Sequence, residues 1–108
     1  MTASAVTALS LNVVLSTPTG LTATRNLING YVDLRWKDGY NTWSVYHRIE
    51  YSTDGGSTFS YLTDTNSANA VAVYVGSLTP NTFRFRVSAF NNTGISAPST
   101  ASNSVAVP

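Results

Sequence analysis

The sequence predicts an all-β domain, a sandwich of seven short antiparallel strands behind an uncharged N-terminal arm. Three observations predict it. Residues 83–89 alternate strictly, with Phe83, Phe85, Val87 and Ala89 on one side and Arg84, Arg86 and Ser88 on the other. That is the period of a half-buried strand with one wet face. Turn-forming clusters at Asn29-Gly30, Asp54-Gly55-Gly56 and Asn91-Asn92-Thr93-Gly94 punctuate the chain at strand-length intervals. The 108 residues make one domain, long enough to bury a real core.

Residues 1–17 carry no charge, and Leu9, Leu11 and Val13 alternate with Ser10 and Asn12. This is a strand signature. A free, uncharged strand-former is an aggregation hazard, so the arm, with Leu9, Leu11, Val13 and Leu15 as its apolar positions, is expected to pair with something. The candidates are its own sheet, or a neighbouring subunit or a host protein by addition of a strand; the remaining alternative is plain disorder or a linker.

Leu21 to Arg25 reads as the first strand of the sandwich. Asn29-Gly30 signals a type I′ hairpin, whose two central residues need positive φ. Tyr31 to Trp36 follows, with Val32, Leu34 and Trp36 inward. A loop from Lys37 to Trp43 carries two large aromatics, Tyr40 and Trp43. In the third strand, Ser44 to Tyr51, one face holds Val45, His47, Ile49 and Tyr51, and the other holds Tyr46, Arg48 and Glu50. Asp54-Gly55-Gly56 turns the chain into a short strand at Phe59 to Leu62. A polar loop, Asp64 to Asn69, precedes a strand with Val71, Val73 and Val75, and Gly76-Ser77-Leu78 leads on to the long alternating strand. Pro98 marks an irregular stretch after it, and Val105 and Val107 close the last strand.

Composition excludes several classes of function. Six basic residues stand against five acidic ones, for a net charge of +1, with none of the clustered Lys and Arg that nucleic acid requires. There is no cysteine, hence no disulfide or thiol chemistry. One histidine and no cysteine make a transition-metal site untenable. No apolar run approaches a membrane span, and Met1 to Leu15 lacks the basic leader of a secretory signal, the first basic residue being Arg25.

Catalysis finds little support either. His47 shares a strand face with the apolar Val45 and Ile49 and is expected to be structural; a Ser-His-Asp arrangement needs a histidine that substrate can reach. The five acids lie on separate strands and turns, unlike a paired-carboxylate site. Asp64-Thr65-Asn66 begins like a calcium loop but lacks its glycine and terminal glutamate. Asn91-Asn92-Thr93 is formally a glycosylation sequon. No cofactor is expected.

Leu78-x-Pro80, then the aromatic-x-Phe-x-Val-x-Ala strand from Phe83, then Asn91-x-x-Gly94-x-Ser96-x-Pro98-Ser99, together with Trp36, closely resemble a fibronectin type III domain over residues 18–108. The resemblance implies a Greek-key sandwich with Trp36, Leu78, Phe83, Phe85 and Val87 in its core. It also implies that the loops 37–43, 64–69 and 91–95 share one end with the chain entry. At Phe83 the family usually carries a tyrosine whose hydroxyl ties down the preceding loop; phenylalanine cannot make that bond.

Function is then expected from surface. One candidate is the loop end, with Tyr40 and Trp43 as aromatic anchors, although Trp43 could instead fold back over the core. The other is the wet face carrying Tyr46, Arg48, Arg84 and Arg86, whose plainer explanation is pairing of Glu50 with an arginine across strands. The leading expectation is a non-catalytic assembly module on a virion surface, a capsid decoration or tail component held by its arm and loop end on protein subunits, other copies of itself among them. It rests on the recurrence of fibronectin-like domains in bacteriophage structural proteins, a fold-level analogy. The alternative is a spacer or a carbohydrate- or protein-binding module of a secreted bacterial enzyme or adhesin, with surface glycan as ligand. The expected location is a virion surface or the extracellular space.

Overall fold

The computed structural model describes residues 14–108, and within them the chain is an antiparallel β-sandwich. The strands are β1 (Thr19–Arg25), β2 (Val32–Lys37), β3 (Tyr46–Ser52), β4 (Ser60–Asp64), β5 (Ala72–Val75), β6 (Asn81–Asn91), β7 (Gly94–Ile95) and β8 (Val105–Val107). One sheet is ordered β1-β2-β5. The other runs β4-β3-β6, with β7 and β8 both pairing the far edge of β6.

Alternation decides what goes inside. Leu21, Ala23, Val32, Leu34, Trp36 and Val75 of the first sheet pack against Ile49, Phe83, Phe85, Val87 and Val105 of the second. For Val32, Leu34, Trp36, Phe83, Phe85 and Val87 this is the face that the alternation assigns. Trp36 is 5% exposed. Phe83 lies 6.1 Å from Phe85 in a stacked pair and meets Tyr51 edge-on at 6.0 Å. Its ring therefore serves packing where a hydroxyl is missing. Leu78, expected in the core, is only half-buried at its margin.

The seventh strand is broken, and the break has a specific cause. Between β7 and β8, Ser96, Ser99 and Ser102 face β6 at every third residue, and each is buried. Their amides donate to the carbonyls of Ala89, Val87 and Phe85 at 2.7–2.8 Å. Their hydroxyls accept from the amides of the same three residues at 2.9–3.1 Å, and donate onward to the carbonyls of Ala97, Thr100 and Asn103. Three residues of this segment thus span two of β6, a bulge repeated in series. Asn103 then bridges to the opposite sheet, its amide group bonding both the N–H and the C=O of Ala23.

Four further expectations need correction. The β1–β2 connection is not a type I′ turn: Gly30 has φ 76°, but Asn29 is not among the residues with positive φ. The turn is wider, closed by Asn26 and Tyr31 with an N···O distance of 2.7 Å, because the Asn26 side chain takes the amide of Ile28 at 2.9 Å. Val71 lies outside β5 and is 49% exposed. Ser88, expected on a wet face, is 4% exposed, a small residue set opposite Arg48 in the β3–β6 register. Leu15 is buried with Val45 and Ala89 in a second apolar cluster, so packing begins ahead of Pro18. Leu9, Leu11 and Val13 lie outside the described residues.

Candidate functional site

The loop end is built around the first residues of β3 and the last of β6. Asn69, at φ 58°, closes a two-bond bridge with Val45: its side-chain oxygen accepts from the Val45 amide at 3.1 Å and its own amide donates to the Val45 carbonyl at 2.7 Å. Thr65 does the same for His47, through its hydroxyl at 3.0 Å and its amide at 2.8 Å. Asparagine and threonine suit these places because a short polar side chain can stand in for a strand partner. The chain entry is fastened here as well. The Ser16 amide donates to Asn41 Oδ1 at 2.8 Å and the Ser16 hydroxyl to the Tyr40 carbonyl at 2.7 Å.

On this support the aromatics stand out. Trp43 is 62% exposed and Tyr40 85% exposed; Trp43 does not fold over the core. Trp43, Ser44, Tyr46, Phe90, Asn91, Asn92 and Thr93 line an open groove of about 640 Å³ with no charged residue in its wall. Tyr46 and Phe90 form its floor as a cross-strand pair with ring centroids 6.2 Å apart. Its rim is the β6–β7 turn, where Asn91 Oδ1 accepts from the amide and hydroxyl of Thr93 while Nδ2 donates to the Ser44 carbonyl at 3.3 Å. Tyr40 lies outside the groove lining. Phe90 does not figure in the sequence-based site, although the period-2 count from Arg84 and Arg86 puts it on their face.

The arginines of that face are held within the domain. Arg86 Nε donates to Glu50 Oε1 at 2.7 Å and its guanidinium lies 4.3 Å from the Phe59 ring centre. Arg84 donates to the Ser102 carbonyl at 3.0 Å. Arg48 Nε donates to Asp64 Oδ1 at 3.1 Å, and its guanidinium sits 5.1 Å from the Phe90 ring centre and 5.6 Å from that of Tyr61. The hydrogen bond that it donates to Asp64 holds the pKa of the Arg48 guanidinium above its already high ordinary value. Both partners are more than a quarter exposed, so the pair is worth only tenths of a kcal/mol. The face is thus a self-satisfied lattice of charge and aromatic rings, and Arg48 joins it to the groove by packing on Phe90.

At the opposite end, Asp54 organises the β3–β4 turn. Its carboxylate accepts from the Ser52 hydroxyl, the Thr58 hydroxyl and the Thr58 amide, and these bonds hold it well below the usual carboxylate range. His47 is fully buried, with Nε2 3.0 Å from Asp38 Oδ1 and its ring 5.1 Å from that of Trp36. No substrate could reach it there. Among the described residues, no three His, Cys, Asp or Glu side chains converge as metal ligands do.

No family model and no curated protein matches this chain. Solved structures do. Domains A168–A170 of titin align over 87% of this chain with a TM-score of 0.71 and 20% identity. The FN1–FN3 domains of chicken CNTN1 align over 84% with a TM-score of 0.69 and 23% identity. The chain spans 32% of the length of each of those fragments. An Fn3-like protein from Clostridium thermocellum aligns over 82% of this chain and 90% of its own, with a TM-score of 0.63 and 20% identity. At such identities the likeness speaks for architecture, and the architecture is that of a fibronectin type III domain.

Proposed function

We propose that this domain is a non-catalytic docking module that seats on protein subunits of a larger assembly through its loop end, with the N-terminal arm departing from the same end. The observation that carries this reading is Trp43. A tryptophan 62% exposed, on a loop fastened by Ser16 and Asn91, beside an uncharged aromatic groove, has the makings of an interface anchor. Its ordered surroundings limit the entropy lost on binding. A place on a virion surface, as capsid decoration or tail component, is the more specific form of this reading and rests on the fold analogy alone.

The arm's part is tested by light scattering on the full chain beside a chain beginning at Val14, which keeps Leu15 in its buried cluster and Ser16 in its hydrogen bonds. The expected result is a folded shorter chain that associates more weakly than the full chain at the same concentration. Equal masses for the two would remove the arm from the docking surface.

A second reading, an accessory module with affinity for glycan, draws on the uncharged lining. Binding of a neutral polysaccharide that disappears with Trp43→Ala would favour it.

A further inference from the structure

The end of the sandwich remote from the groove has an unexplained feature of its own. Leu27 and Ile28 crown the β1–β2 turn at 80% and 97% exposure. Adjacent large aliphatics this exposed are unusual on a loop, and the turn does not hold them there by default. Asn26 accepts from the amides of Ile28 and Gly30, and Asn29 accepts from the amide of Tyr31 at 2.9 Å. The tip is a shaped apolar knob with asparagine on both flanks and no charge between residues 26 and 31.

We propose that copies of this domain dock head to tail, the Leu27–Ile28 knob of one seated in the Trp43–Tyr46–Phe90 groove of the next. The inference rests on the loop end being a protein-docking surface, as proposed above, and names a second copy as the partner. Four observations on the two surfaces support that partner. They match in chemistry: an apolar projection faces an apolar recess of about 640 Å³. They match in electrostatics, since neither carries a charge and their union leaves no ion buried without a partner. Both are held in shape by side-chain caps, so little ordering is needed. They also lie at opposite ends of the sandwich, because β1 runs from the chain entry at the loop end to the turn that bears Leu27. One chain therefore cannot satisfy itself. Each junction leaves a free knob and a free groove, and the contact propagates as a heterologous interface does.

The test uses sedimentation and light scattering of the full chain from about 10 µM to about 1 mM, the range in which a small interface shows itself. Two variants at exposed positions accompany it, Ile28→Arg, which spoils the knob, and Trp43→Ala, which removes a wall of the groove. Leu27→Arg serves as a second knob variant, and thermal unfolding verifies that each is folded. The wild type is expected to exceed the mass of two copies as concentration rises, and each variant alone to remain monomeric. An equimolar mixture of Ile28→Arg and Trp43→Ala should form a dimer and stop there, since the intact knob of one fits the intact groove of the other. A wild type that is monomeric throughout, or a mixture that stays monomeric, overturns the proposal.

If a photoreactive residue at position 40 then crosslinks only a different protein, head-to-tail docking fails while the protein-docking reading stands. If the monomeric wild type instead binds soluble dextran through Trp43 and crosslinks no protein, both readings fail.

Discussion

His47 Nε2 lies 3.0 Å from Asp38 Oδ1, and this one bond ties the floor of the core to the loop that carries Tyr40 and Trp43. A carboxylate oxygen accepts, so Nε2 is the donor, and Nδ1 is left buried with no partner among the described residues. Removing the carboxylate strands the other nitrogen as well. Asp38→Ala is expected to cost about 1–3 kcal/mol, the usual penalty for a buried polar group left unsatisfied. Asp38→Asn, which keeps an accepting oxygen, should lose less. Urea unfolding of the two variants makes the comparison.

The three buried serines between β7 and β8 should behave as a set. Each of Ser96→Ala, Ser99→Ala and Ser102→Ala removes an acceptor from a buried amide of β6 and is expected to cost about 1–3 kcal/mol. Thr100→Ala, at an exposed position in the same segment, should stay within about 0.5 kcal/mol. Amide exchange at Phe85, Val87 and Ala89 gives a local readout, since each variant should speed exchange at its own partner first.

The two tryptophans separate stability from function. Trp36→Ala is expected to destabilise by about 3–5 kcal/mol, because the ring is 5% exposed and packs in the main core. Trp43→Ala is expected to change stability by no more than about 0.5 kcal/mol, being mostly in solvent. Chemical denaturation of both, followed by circular dichroism, compares them directly.

Asp54 gives the domain an acid-sensitive turn. Its folded carboxyl is held below its ordinary value of 3.8, first by the Ser52 hydroxyl and then by the Thr58 hydroxyl and amide. A carboxyl depressed in the folded state contributes stability above its unfolded value, and loses it as pH falls through the folded one. The wild type should therefore be more stable than Asp54→Asn at neutral pH, with the gap narrowing below about pH 4. Urea midpoints measured between neutrality and acid would follow it.

Gly39 guards the junction of arm and loop. A Cβ there would stand 2.5 Å from the Ser16 Cβ, too close for either to stay. Gly39→Ala is expected to dislodge Ser16 from Tyr40 and Asn41 at a cost of about 1–3 kcal/mol, and to quicken proteolysis around residues 14–17.

Much of this architecture is legible in the sequence because period-2 alternation is a direct consequence of strand geometry. The inward sets of β2 and β6 follow from counting alone, and so does the outward position of Phe90, one residue past Ala89; for β3 counting separates the two faces, and the resemblance to a fibronectin type III domain says which lies inward. The serine run at 96, 99 and 102 is hidden from that count because its period is three. It exists only because each hydroxyl finds an amide of β6, and Pro98 in its midst reads simply as a break. The width of the β1–β2 turn is decided by the Asn26 side chain, which outcompetes the preference of Asn29 for positive φ while Gly30 keeps its own. Asp38 and His47 lie on different elements, and no spacing rule predicts that they meet. The groove is of the same kind: Trp43, Tyr46 and Phe90 are each readable as outward aromatics, but their convergence depends on the register that sets Tyr46 opposite Phe90.

The claim that the loop end is where this domain meets protein is tested most directly by photocrosslinking in the cells or particles that contain it. A photoreactive phenylalanine is placed at Tyr40, three residues before Trp43 on the same loop and outside the groove lining. The account predicts a discrete crosslinked protein species that is lost in the Trp43→Ala background while the domain stays folded. A chain that crosslinks nothing, or one whose crosslinks are indifferent to Trp43, would contradict it.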